Sequence, residues 1–203
     1  MGTWHIKQPI ELSYIHCPRT GLGMKAITRE WLHPQFTVEE NTEWMIDHPS
    51  LKMVRERIPN GKTMTVVRNP WKRVWSLYNK ISSEGYWLDW NNQSVMDIKP
   101  FNEWLIDYAN PEVVFEWPRW FTRFTNMVEF INYEDRWVDF ILLAETLEKD
   151  FKQVQDYLNC YTPLPELSMY KETNDYKRDY TSAGIEAVYT VYKQDIDKFN
   201  YSF

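Results

Sequence analysis

Twice in this chain an apolar run breaks into a short cationic loop and then into a helical pattern: Tyr14-Ile-His-Cys-Pro-Arg-Thr-Gly-Leu-Gly-Met-Lys25 and Val67-Arg-Asn-Pro-Trp-Lys-Arg-Val-Trp-Ser-Leu-Tyr78. A buried strand that feeds a helix through a loop leaves backbone N–H groups unpaired at the helix start. It also aims the positive end of the helix dipole at the same place, so an anion can sit there. One such junction constrains little; two in succession argue for a ligand with phosphates at both ends. Strands that alternate with helices imply an α/β fold, a mostly parallel central sheet flanked by helices with P-loop-like nucleotide-binding architecture. Ligands of such sheets bind at the carboxyl ends of the strands, where both loops begin.

The first strand is read at Leu12 to His16, bounded by Pro9 and Pro18. A helix follows from Leu22 to Trp31 with Met24, Ile27 and Trp31 on one side, and Gly21 and Gly23 stand where backbone must approach the ligand closely. After a polar connector, Thr42 to Arg57 is amphipathic and interrupted at Pro49. Asn60-Gly61 signals a turn into a strand at Thr63 to Val67, and Asn69-Pro70 is a cap followed by proline at the first helical position. Trp71, Val74, Trp75, Tyr78 and Ile81 then recur at helical spacing, which predicts a helix packed on the sheet. Phe101 to Tyr108 and Trp120 to Phe124 read as further helix, and Phe140 to Leu143 as a short strand. Thr146 is placed to cap a helix carrying Leu147, Phe151, Val154 and Leu158, which Cys160 to Pro165 ends. Thr181 or Ser182 caps a last helix with Ile185, Val188, Tyr192, Ile196 and Phe199 as its stripe.

At 203 residues, with no repeat, low-complexity tract or Gly/Ser linker, the chain is expected to form a single domain spanning 1–203. Its two cysteines, Cys17 and Cys160, lie far apart, so a reducing compartment is expected. The sequence offers no basic, apolar leader and no apolar run of about 18 residues, so a soluble, cytoplasmic protein without a membrane role is expected. The 29 acidic residues outnumber the 23 Lys and Arg, which disfavours nucleic acid as a partner. A phosphate-rich ligand therefore needs a local cationic cluster, and the loops supply Arg19, Lys25, Arg68, Lys72 and Arg73. Scattered histidines and separate cysteines predict no metal site. Aromatic residues make up 17% of the chain, and Trp87, Trp90, Trp117 and Trp120 lie in polar, Pro-interrupted segments that suit platforms for sugar rings.

Arg68-x-Pro70-x-x-Arg73-x-x-Ser76-x-Tyr78 is similar to the 3′-phosphate segment of sulfotransferases that use 3′-phosphoadenosine 5′-phosphosulfate (PAPS). His16-x-Pro18-Arg19-Thr20-Gly21 is similar to their 5′-phosphosulfate loop. The stretch from Val138 to Phe151 resembles their strand, Glu-Thr-Leu and helix element, and Tyr189 to Phe203 their last helix with its Asp-x-x-x-Phe-x-Tyr ending. The nearest branch in these motifs is the carbohydrate one, of the heparan and chondroitin 2-O-sulfotransferase kind. The resemblance implies a transferase that takes PAPS as donor and leaves 3′-phosphoadenosine 5′-phosphate, with a carbohydrate hydroxyl as acceptor. It implies donor binding by Arg19, Thr20, Gly21, Leu22, Gly23, Met24, Arg68, Arg73 and Ser76. Arg19 stands where the family has a lysine at the bridging oxygen of the sulfuryl group, and a planar fork there replaces a movable point charge.

The first loop is not a Walker A: Gly21-Leu-Gly-Met-Lys-Ala lacks the spacing and the hydroxyl that holds Mg²⁺. The acceptor hydroxyl needs a base. In the resembling 2-O branch a histidine stands about twenty residues before the Arg-x-Pro segment, and His48 lies 20 before Arg68. His33 and Glu43 are the other candidates. Two further readings stay open, a small-molecule kinase of similar architecture and a catalytically inactive glycan- or nucleotide-binding relative. The acceptor and the oligomeric state are not written in the sequence.

Overall fold

A computed structural model describes residues 4–6, 11–17, 20, 24, 26–40, 49–84, 99–110, 126–166 and 174–203. It has a mixed α/β architecture whose five-stranded central sheet is flanked by helices. The chain divides into two compact units, residues 1–68 with 127–172 and residues 69–126 with 173–203.

The first unit holds the sheet, built from β1 (Trp4–Ile6), β2 (Leu12–Ile15), β3 (Val38–Glu40), β4 (Lys62–Val67) and β7 (Phe140–Leu143) in the order β3-β1-β2-β4-β7. Strands β2, β4 and β7 are parallel, with Ile15 opposite Thr65 and Val67 opposite Leu143. The antiparallel β1 lies between β2 and β3, with Trp4 opposite both Tyr14 and Glu40. The carboxyl ends of β2, β3, β4 and β7 therefore share one edge. Met64, Val66, Val67, Thr63 and Thr65 are all buried, which is why β4 reads as a continuous run instead of an alternation.

One core joins Leu12, Tyr14, Met64, Val66 and Leu142 of the sheet to Met24, Ile27 and Trp31 and to Leu147, Phe151, Val154 and Leu158. The last four lie on α6 (Leu147–Asp150) and α7 (Lys152–Leu158), and Phe151 meets Trp31 edge-on at 5.3 Å. Met24, Ile27 and Trp31 are buried as their spacing predicts, but α1 (Ile27–Leu32) winds as a π-helix, with the His33 N–H on Thr28 O, five residues back. Thr146 does not cap α6 with its own oxygen. Asp150 Oδ2 instead accepts from Leu143 N–H at 2.9 Å and from the Thr146 hydroxyl at 2.7 Å. Among the described residues this unit also carries α2 (Leu51–Arg57), α5 (Met127–Ile131) and a hairpin of β5 (Asn132–Tyr133) and β6 (Arg136–Trp137). Ahead of β4, a Cβ on Gly61 would lie 2.8 Å from Ile58 Cγ2 and 3.2 Å from Glu11 Cβ, so only glycine fits the turn.

Among the described residues the second unit carries α3 (Pro70–Glu84), α4 (Phe101–Ala109), a 3₁₀ turn at Asn174–Asp179 and α8 (Ser182–Phe199). Trp71, Val74 and Leu77 of α3 pack with Trp104 and Leu105 of α4, Tyr176, and Val188, Tyr192 and Ile196 of α8. Asn69 Oδ1 accepts from Trp71 N–H at 3.1 Å and caps α3, and Thr181 Oγ1 accepts from Gly184 N–H at 3.2 Å and caps α8. The α8 backbone leaves helical geometry at Tyr192 (φ −111°, ψ 25°). Among the described residues, no helix is long and apolar enough to cross a membrane.

Candidate functional site

The parallel pairing of β2 with β4 sets the carboxyl ends of these two strands side by side, with Ile15 the partner of Thr65. The join is tied at that level. Thr65 Oγ1 donates to Ile15 O at 2.8 Å, so the Cys17 thiol, 3.5 Å from Thr65 Oγ1, is left to act as the donor to it. Past β2 the chain folds back: both the N–H and the hydroxyl of Thr20 bond to Cys17 O, at 3.4 and 2.7 Å. Tyr14 lies wholly buried below this turn. Burial, with Cys17 adding to it, pushes its hydroxyl well above the ordinary pKa while Thr20 draws it back in part, so it is a neutral phenol at any working pH.

One strand over, Arg68 follows β4 and is 4% exposed, a permanent cation brought into the protein at the carboxyl edge. Such a charge is not buried without anionic or hydrogen-bonding company. Asn69 and Pro70 come next and start α3, so Arg68 directly precedes a capped helix N-terminus. Ala144 to Thr146 continue β7 at the same edge.

Met24, expected at the donor, is fully buried in the core, where its carbonyl accepts from Thr28 Oγ1 at 2.7 Å; its side chain serves packing. Arg73 is buried in the second unit. Its Nη1 lies 3.8 Å from Asp195 Oδ2, and its guanidinium lies 5.3 Å from the centre of the Tyr192 ring. Ser76, one turn on, is also buried. Lys72 is half-buried with its ammonium 5.7 Å from the Tyr176 ring centre. His33 is exposed at the end of α1, and His16 is half-buried beside Tyr14 with ring centres 6.0 Å apart. His5 is buried in β1, with Nδ1 3.0 Å from Ser13 Oγ. Arg19, Gly21, Leu22, Gly23, Lys25, Glu43, His48, Trp87, Trp90, Trp117, Trp120 and the helix expected over 120–124 lie outside the described residues.

Asp195 is the residue that reading for function overlooked. Its signal was present in the Asp-x-x-x-Phe-x-Tyr ending, yet a carboxylate on an apolar helix reads as solvent-facing until its arginine is known.

No family profile matches the chain, and no curated protein does. Among solved structures it is similar to the crystal structure of a sulfotransferase from Alicyclobacillus acidocaldarius, with 16% identity and a TM-score of 0.37. That likeness covers 74% of this chain, which spans 62% of the length of the matched one.

Proposed function

We propose that this protein is a sulfotransferase that takes PAPS as donor and moves its sulfuryl group to a hydroxyl, on a carbohydrate. The observation that supports the reading is the parallel pairing of β2 with β4: Thr20 bonds back to Cys17 O beyond the end of β2, and the buried Arg68 follows the end of β4. A nucleotide with phosphate at both ends fits such neighbours, and the motifs around them resemble those of PAPS-dependent enzymes. In this reading Arg68, with Ser76 and the start of α3, receives the 3′-phosphate, while Thr20 and the backbone of residues 19–24 receive the 5′ end.

In the reaction the acceptor oxygen attacks sulfur as the bond from sulfur to the bridging oxygen breaks. The electron pair leaves with 3′-phosphoadenosine 5′-phosphate, and the acceptor proton passes to a base. Such a transition state is loose and builds charge on the leaving oxygen, so fixed cations do most of the work, as in phosphoryl transfer. Arg19 is assigned to that oxygen and His48 to the proton, with Glu43 or the exposed His33 next in line for the base.

The test is turnover of PAPS over a panel of glycans, followed as release of 3′-phosphoadenosine 5′-phosphate. Sulfated product is expected, and His48→Ala should lower kcat by about 10²–10⁴-fold while nucleotide affinity is kept. Turnover of ATP with Mg²⁺ instead would make the protein a kinase. Nucleotide binding without any turnover would favour an inactive binding protein, a reading that the arginine in place of lysine at position 19 keeps open.

A further inference from the structure

Two motifs singled out in the sequence meet in one buried pair: Arg73, the second arginine of the Arg-x-Pro-x-x-Arg segment, and Asp195 of the Asp-x-x-x-Phe-x-Tyr ending. Their side chains are 4% and 0% exposed, their charged atoms 3.8 Å apart, and the guanidinium lies over Tyr192, the residue where α8 bends. On α3, Arg73 lies between the cap and Ser76: its N–H bonds to Asn69 O at 2.9 Å, and Ser76 follows one turn later. A guanidinium faced by a buried carboxylate and covered by a ring projects little field toward a further anion, and a phosphate brought to it would also meet Asp195.

We propose that Arg73 is a positioning residue: held by Asp195 and Tyr192, it fixes the first turns of α3 on α8, and so sets Ser76 and the α3 N-terminus for the 3′-phosphate without touching the nucleotide. This rests on the nucleotide reading above.

The experiment measures the affinity of the full chain and of Asp195→Asn, Arg73→Met and Arg73→Met/Asp195→Leu for two nucleotides, 3′-phosphoadenosine 5′-phosphate and adenosine 5′-phosphate. A directly ligating Arg73 would be released by Asp195→Asn to bind phosphate more tightly. A positioning Arg73 loses its anchor, so affinity for the 3′-phosphorylated nucleotide should fall about tenfold or more. Arg73→Met should fall alike, the double variant should return to within about threefold of the parent, and adenosine 5′-phosphate should barely respond in any of them. That selectivity is the readout which loss of packing alone would not give. Unchanged or tighter binding by Asp195→Asn overturns the proposal, as does a double variant as weak as Arg73→Met or an equal loss for both nucleotides. A parent that does not prefer the 3′-phosphorylated nucleotide overturns the nucleotide reading itself, which is a different failure. Asp195→Asn preserves shape, so it keeps the test open if an apolar variant does not fold.

Discussion

Asp139 shows how much one side chain can tie together at the edge away from the loops. It accepts from Arg55 at 2.9 Å, Lys62 at 2.7 Å, and both the N–H and the hydroxyl of Thr63 at 2.9 Å. Arg55 also donates to Gly61 O, so α2, the turn and the start of β4 share one carboxylate. Burial alone would raise its pKa, but the hydrogen bonds from Lys62 and Thr63 together hold it below the ordinary value. A depressed folded pKa means stability that is complete above the unfolded carboxylate value, about 3.9, and is lost as pH falls through the folded one. Asp139→Asn should therefore be less stable than the parent by about 1–3 kcal/mol at pH 7 in urea denaturation, with the gap closing as the pH falls through the depressed folded value. A gap that stays constant between these conditions would show that the charge is not what matters.

Elements with a long apolar period or a strong cap were legible in the sequence, and short paired ones were not. The Phe140 to Leu143 strand, the Asn69-Pro70 start of α3 and the α8 stripe all stand where expected, because each signal is local: a β-rich run, a cap, a helical repeat. Strands β1 and β3 have three residues each and exist only through pairing with β2 and with one another, which no local pattern announces. The same limit hid Asp195, whose meaning depends on Arg73 more than a hundred residues earlier. Cap chemistry gives the element its test. Thr181→Ala should cost about 1 kcal/mol by removing the acceptor for Gly184 N–H, seen as a lower denaturation midpoint with unchanged slope. No shift in midpoint would mean that the α8 start is held by other contacts.

On the scale of the whole molecule, a chain of net charge −6 takes up a phosphate-rich nucleotide only where its fold concentrates cations. Under the proposed function that place is the carboxyl edge of β2, β4 and β7, where Arg68 is buried. The proposed acceptor side was the least legible, since Trp87, Trp90, Trp117 and Trp120 stand in no periodic sequence pattern. If they are sugar platforms, alanine at each should raise the acceptor KM and leave nucleotide affinity alone; a stability loss of about 3–5 kcal/mol at every one would make them core aromatics. The central claim is that Arg68 holds the 3′-phosphate, and calorimetry of the parent and Arg68→Ala with 3′-phosphoadenosine 5′-phosphate and with adenosine 5′-phosphosulfate tests it most directly. Arg68→Ala should bind the first nucleotide more weakly by about 2–4 kcal/mol and the second, which has no 3′-phosphate, as the parent does; equal affinity of parent and variant for the first would contradict the account.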